Sequence, residues 1–289
     1  MRTSHVNGAI KECCIWRQPK RQKLLTTPGP NCIPTLRFAD TGETNAQVAE
    51  LVDALASGAS GRKVVEVRVF SWAPPFWIDV EKNGRIVAIE LHHGDLPDGL
   101  DLGPVVAIDT ETMGLNPHRD RLCVAQLSSG DGNAHLVKFS TGGFNAPNLC
   151  ALLADPDILK LFHFGRFDIA VMDNFLGVPA APVYCTKIAS KLVRTYTDRH
   201  GLKDLCRELL GVDLSKEQQS SDWGADTLTD QQMTYAASDV LYLHALMEKL
   251  DVMLEREGRT EMARACFEFL PHRAALDLAG WPELDIFAH

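Results

Sequence analysis

Acidic residues embedded in apolar runs restrict this chain more than any other feature. Asp109 and Glu111 interrupt VVAIDTETMGL, Asp168 interrupts HFGRFDIAVM, and Asp239 interrupts YAASDVLYL four residues after Tyr235. A carboxylate drawn out of water is costly unless something pairs with it. Divalent metal ions are the natural partners of several oxygens at once, and metal ions on carboxylates point to phosphodiester chemistry.

The spacing of these acids says how they would meet. Asp109 and Glu111 are two apart at the end of a strand, so both side chains leave the same face. Tyr235 and Asp239 are four apart on a helix and also share a face. Asp168 falls in the first turns of the helix that follows the strand LKLFHF. Four like charges brought together would shift one another's pKa strongly unless cations lie among them. Mg²⁺ or Mn²⁺ fits an all-oxygen set, and two such ions about 3.5–4 Å apart would clamp a phosphodiester.

From residue 86 the pattern predicts one α/β domain. RIVAIELHH, PVVAIDTET, RLCVAQLSS and AHLVKF read as strands, bounded by Gly, Pro and Asp. Short turns between the later ones imply an antiparallel run. NAPNLCALLADP reads as a helix, ILKLFHF as a strand, RFDIAVMDNFLGV as a helix ended by Gly177, and PVYCT as a short strand. Helices are expected over 186–195, 202–210 and 229–257, the last with apolar spacing through Met233, Ala237, Val240, Leu241, His244 and Met247. An antiparallel start followed by alternating strands and helices predicts a mixed sheet with helices on its faces.

Charge and cysteine usage narrow the class. The chain of 289 residues carries a net charge of −9, with +3 on residues 1–79 and −12 on the remainder. That balance argues against a sequence-blind nucleic-acid coat protein, which needs a basic face. It leaves room for an enzyme that grips a few nucleotides through metal ions and a local basic stretch. Residues 187–207 offer one, with Lys187, Lys191, Arg194, Arg199, Lys203 and Arg207 against Asp198 and Asp204; the alternative is a solvated helical face. The eight cysteines include no C-x-x-C pair, and no secretory pattern or membrane-length apolar run is visible, so a reducing cytoplasm is expected.

The three acidic segments together resemble the signature of the Asp-Glu-Asp-Asp 3′→5′ exonucleases: IDTET, then HFGRFD, then YAASD, whose Tyr-x-x-x-Asp form resembles the tyrosine subtype. SDWGADTLTDQQMTYAASD is similar to ribonuclease D, where an Asp-Trp pair (here Asp222 and Trp223) precedes a Leu-x-x-x-Gln-x-x-Tyr-Ala-x-x-Asp helix. The resemblance covers about residues 86–250 and implies a ribonuclease H-like fold and a metal-dependent 3′→5′ exoribonuclease acting on RNA 3′ ends, with transfer-RNA 3′ trimming the usual task. It implies that Asp109, Glu111 and Asp239 ligate one metal, that Asp109 bridges to a second held by Asp168, and that Tyr235 positions the attacking water. Thr110 and Met113 would line the pocket of the 3′ nucleotide. His163, Phe164 and Phe167 flank Asp168; either ring could stack on a base or belong to the core, and His163 suits a hydrogen-bonded core position. Gln126 matches a structural strand position, Gly114 reads as turn chemistry, and Arg194, Thr195 and Tyr196 are weaker candidates for phosphate contact. A DNA exonuclease and an inactive nucleic-acid-binding module are the alternatives. About forty residues follow 250, too few for the accessory helical bundle of many ribonuclease D proteins, so the chain resembles a short form. The apolar tail around Trp281 and Phe287 would mediate a dimer or fold back.

Residues 1–79 read differently, as a non-native or disordered extension before an exonuclease domain at 80–289. Residues 46–74, AQVAELVDALASGASGRKVVEVRVFSWAP, resemble the conceptual translation of a bacterial leucine tRNA gene. Val67-Arg68-Val69 would be its T-loop, and Trp72-Ala73-Pro74 would end on its terminal CCA. A transit peptide is disfavoured because Pro and Cys interrupt any amphipathic helix. The competing reading is a small domain with a helix at 46–57 and a strand at 64–70.

Overall fold

The computed structural model describes residues 67–68, 77–82, 85–215 and 217–288, with side chains from residue 88 onward. Contacts divide the chain into Met1–Arg62 and Lys63–His289, and every described element belongs to the second unit. The extension expected at 1–79 lies outside the described residues, apart from the strand β1 (Val67–Arg68) and the first residues of β2 (Trp77–Lys82).

The remaining strands are β3 (Arg85–His93), β4 (Val105–Thr112), β5 (Leu122–Ser128), β6 (Ala134–Lys138), β7 (Leu159–Phe162) and β8 (Val183–Cys185). They form one mixed sheet in the order β1-β2-β3-β6-β5-β4-β7-β8. The β4-β5-β6 run is antiparallel, as the short turns require. β3 departs from simple succession: it lies parallel to β6 rather than beside β4. β5 and β6 are buried at every residue, which is why LCVAQLS and AHLVK do not alternate cleanly between apolar and polar: both faces are covered.

The helices are α1 (Pro147–Ala154), α2 (Arg166–Leu176), α3 (Thr186–Val193), α4 (Leu202–Leu205, continuing as a π-helical turn to Leu210), α5 (Asp230–Val240), α6 (Leu243–Arg256) and α7 (Thr260–Leu278). α2 ends where Gly177 takes φ 71° and donates its N–H to the Asp173 carbonyl, a left-handed cap that side chains with a Cβ resist. Thr229 and Gln232 form a capping box that starts α5, satisfying amides that would otherwise be orphaned.

The helix expected over 229–257 is two helices. The ladder breaks between Leu241, which caps α5, and Tyr242, which caps α6, although neither is Gly or Pro. α5 buries Met233, Ala236, Ala237 and Val240, and α6 buries Leu243, Leu246, Leu250 and Leu254. Each stripe seats independently, and His244 ties the start of α6 to the Val105 carbonyl at 3.0 Å. Tertiary packing thus overrides a continuous helical pattern.

α7 closes the domain. Phe267 meets Tyr184 of β8 with ring centroids 4.4 Å apart, and Asp277 takes a two-pronged ion pair from Arg166 of α2 at 2.6 and 2.7 Å. Part of the tail lies against α7, where Phe287 meets Phe269 at 5.8 Å and Arg273 donates to the Trp281 carbonyl, while Trp281, Leu284, Ile286 and Phe287 stay exposed.

Candidate active site

β4 is central to the sheet, and its C-terminal end delivers Asp109 and Glu111 toward α5. α5 returns Asp239 to the same place. Carboxylate oxygens of Asp109, Glu111 and Asp239 lie within 4.8 Å of one another. Asp168, in the first turn of α2 and 4% exposed, is tied to β4 by the Thr110 hydroxyl, which donates to its Oδ1 at 2.6 Å. The three expected segments therefore converge, and Thr110, expected in a nucleotide pocket, commits its hydroxyl to Asp168.

Electrostatics makes the cluster unusual. Burial, then Asp168, Asp239 and Glu111, raise the Asp109 carboxyl well above the ordinary range. Burial, then Asp239 and Asp168, push Glu111 up to about 9. Burial pushes Asp168 up to about 7, against the Thr110 hydrogen bond that lowers it. Among the described residues no ion pair involves these three. Arg166, two residues from Asp168, pairs with Asp277 instead. Acids this close cannot all ionise unless positive charge joins them. The donors are all hard oxygens, the set that Mg²⁺ or Mn²⁺ takes, so the residues present fit a divalent ion.

Tyr235 hydrogen-bonds to Asp239, and burial with the nearby acids raises its pKa above its ordinary value, so it stays a phenol. Trp223, 3% exposed, lies 6.0 Å from the Tyr235 ring. The loop carrying Asp222 and Trp223 crosses the site: a Cβ on Gly224 would come within 2.3 Å of Met113 Sδ. Met113 and Phe164 are exposed, whereas Phe167 packs partly into the core. His163 is held by Thr186 at 2.9 Å, and burial pushes its imidazole down to about 3, with Lys187 adding to the effect.

Other expectations change. Arg194 is fully buried and donates to Ser190, the Arg199 carbonyl and Glu208, so it cannot meet phosphate. Arg207 pairs with Asp204. The basic stretch is thus divided: Arg194 is sealed in the interior and Arg207 is paired, while Lys191 and Arg199 stay exposed and Lys187 lies over the Phe164 ring. Gly114 is more than turn chemistry, because a Cβ there would sit 2.3 Å from Asp120 Oδ2. Asp120 organises that turn by accepting from the Asn116 N–H and from Arg119. Gln126, the cross-strand neighbour of Asp109, is fully buried.

Sequence reasoning missed Lys138 and Arg121. The Lys138 ammonium donates to the Trp223 carbonyl at 2.9 Å, and Arg121 donates to the Gly224 carbonyl at 3.3 Å. They pin the loop together from the open end of the β5-β6 hairpin, where Arg121 precedes β5 and Lys138 ends β6. A lysine ending an apolar strand was the available signal, but its partner is 85 residues away.

A family model described as 3′-5′ exonuclease matches residues 92–255. Ribonuclease D of Acidiphilium cryptum (strain JF-5) is 35% identical over 166 residues, 57% of this chain and 42% of that protein. The chain spans less than half the length of that curated relative. Solved structures of Brucella melitensis NrnC, one with bound Mg²⁺ and one bound to pGG, are 59% and 60% identical, each covering 70% of this chain and 98% of that chain, with TM-scores of 0.67 and 0.68. Escherichia coli RNase D is 30% identical, with 59% of this chain and 45% of that chain covered and a TM-score of 0.53. A β4 strand, an α2 helix and an α5 helix that gather four acids, together with these likenesses, assign the chain to the 3′-5′ exonuclease family.

Proposed function

We propose that this protein is a metal-dependent 3′→5′ exoribonuclease that releases nucleoside 5′-monophosphates from RNA 3′ ends. The observation that carries this reading is the meeting of Asp109, Glu111 and Asp239 within 4.8 Å, with Asp168 fastened to the same strand by Thr110. In this reading Asp109, Glu111 and Asp239 hold one divalent ion, and Asp109 and Asp168 hold a second, either Mg²⁺ or Mn²⁺. When bound, such ions supply acidity to water and offset charge on the phosphate.

The side chains supply the rest. Thr110 fixes the orientation of Asp168. Tyr235, protonated and donating to Asp239, offers its phenolic oxygen to the attacking water and orients it without acting as the base. Met113 and Phe164 present apolar surface to the terminal nucleoside, with Phe167 behind them and His163 fixed as an uncharged wall. Trp223 closes over Tyr235 and excludes bulk water. The pGG-bound structure of the similar Brucella protein supports a short substrate for this chain; longer RNA, including transfer-RNA 3′ ends, is the alternative substrate. The proposed compartment is the cytoplasm. Among the described residues no helix is long and apolar enough to cross a membrane.

The test is a digestion of 5′-labelled RNA, matched DNA and pGG with Mg²⁺, Mn²⁺ or EDTA. RNA should shorten from its 3′ end, release mononucleotides, and survive intact in EDTA. Release undiminished by chelator overturns the reading, and faster digestion of DNA than RNA replaces the substrate. For residues 1–79, we propose read-through of a tRNA gene ahead of a domain at 80–289. Codons for 46–74 that fail to fold as a cloverleaf with a leucine anticodon sink that idea.

A further inference from the structure

A second set of metal-type ligands lies on the sheet away from the acids. Glu90 and His92 are two apart on β3, so they share a face. The parallel register sets Glu90 beside His135 of β6. Following the pairings across, His135 lies opposite Leu127, and Leu127 opposite Ile108. The three residues therefore occupy the Ile108 face of the sheet, the face of Thr110 and its partner Asp168, whereas Asp109 and Glu111 leave the other; from Asp168 the separation is lateral. β6 and β4 are also separated by about 10 Å, two strand spacings.

The ligating atoms form a tight triangle. His92 Nε2 is 3.1 Å from His135 Nδ1. Glu90 Oε2 is 3.9 Å from the first nitrogen and 3.6 Å from the second. The point equidistant from these three atoms lies about 2.1 Å from each, the bond length of zinc to imidazole or carboxylate. The rings are nearly parallel, 13° apart with centroids at 5.4 Å. Both histidines are buried, which favours uncharged imidazole, the form that ligates. One proton can bridge only one edge of such a triangle; a divalent cation satisfies all three corners.

The framework is held from outside as well. Asn133 accepts the Ala88 N–H at 3.2 Å, and its own amide and N–H both bond to Asp131 at 2.8 Å. The β5-β6 turn is thereby locked to β3 on the side from which His135 enters.

We propose that Glu90, His92 and His135 form a binding site for a borderline transition-metal ion of the Zn²⁺ type, separate from the acidic cluster. Its nitrogen-rich donors select against Mg²⁺, which prefers oxygen. The ion would staple β3 to β6, the parallel seam that joins the β2-β3 hairpin to the rest of the sheet.

The test uses the full chain, stripped with chelator and then loaded with Zn²⁺ in millimolar Mg²⁺. After desalting, the wild type and Asp109→Asn should each retain about one equivalent of zinc and melt at higher temperature than the stripped form. His135→Gln should retain none. Glu90→Gln, which alters a partly exposed group and preserves folding, should bind at least about tenfold more weakly. Co²⁺ in the wild type should show the strong visible bands of nitrogen-ligated cobalt, with those bands unchanged in Asp109→Asn. Zinc that disappears with Asp109→Asn yet persists in Glu90→Gln with undiminished affinity overturns the proposal, as does a wild type that retains no zinc.

Discussion

Two kinds of buried charge coexist in this molecule and are handled in opposite ways. Arg194 is sealed in the interior, and its guanidinium is met by Ser190, the Arg199 carbonyl and Glu208. Lys160 is equally buried and is met by the carbonyls of Asp155 and Ala181. At the end of β4, by contrast, Asp109, Glu111 and Asp239 crowd against one another, and burial and mutual repulsion hold Asp109 and Glu111 far from their ordinary pKa. A charge that is buried and met belongs to the architecture. A charge held half-buried beside its own kind is maintained at a cost to the fold, a cost that a bound cation would relieve.

Mutation tests this contrast most sharply at Asp109. Asp109→Asn should lower kcat/KM by at least about 10³-fold, because it removes metal-held transition-state stabilisation. Its melting temperature in EDTA should equal or exceed that of the wild type, since one of several like charges is gone. A melt several degrees lower would make the cluster architectural and break the distinction. Arg194→Met should do the reverse, costing about 3 kcal/mol in urea unfolding by leaving Glu208 and a carbonyl without their partner, while turnover below the melting range stays within about twofold.

Tyr235→Phe comes next, with kcat falling about 10- to 100-fold and Mg²⁺ affinity unchanged by calorimetry; unchanged kcat would remove the phenol from the reaction. The smallest expected effect is on the pH dependence of stability. Burial pushes the Lys160 ammonium down to about 8, against the pull of Asp155, whereas in the unfolded chain it titrates near 10.4. Between about pH 8 and pH 10.4 the unfolded chain holds the extra proton, so this residue makes stability rise with pH across that window. Lys160→Met should lack this rise, so the wild-type-minus-variant difference in urea midpoint should climb from about pH 8 to about pH 10.4. A difference that stays flat from pH 8 to 10.4 would show that Lys160 is fully compensated by its carbonyls.

What the sequence disclosed follows from distance along the chain. Asp109 with Glu111, and Tyr235 with Asp239, were legible because each pair shares one element and its period fixes a common face. The mixed α/β sheet was legible for the same reason, strand by strand. The bond from Thr110 to Asp168 spans 58 residues and no pattern announces it. The parallel seating of β3 on β6 crosses two other strands. The break at Leu241–Tyr242 lacks Gly or Pro, and the short helical tail expected at the C-terminus is a 19-residue helix, α7, whose buried residues Ala263, Phe267, Leu270 and Ala274 are too sparse to announce its length. Arg194 read as part of a basic face because composition cannot tell a buried guanidinium from a solvated one.

The ion pair between Arg166 and Asp277 has a practical corollary. Arg166 opens the helix whose third residue is Asp168, and Asp277 lies near the end of α7. Whatever tugs on the final dozen residues, such as an affinity handle, a fusion partner or a surface-coupling chemistry, pulls through that clasp on a helix that must keep an acid in register. Handles for purification or immobilisation therefore belong at the opposite end of the polypeptide.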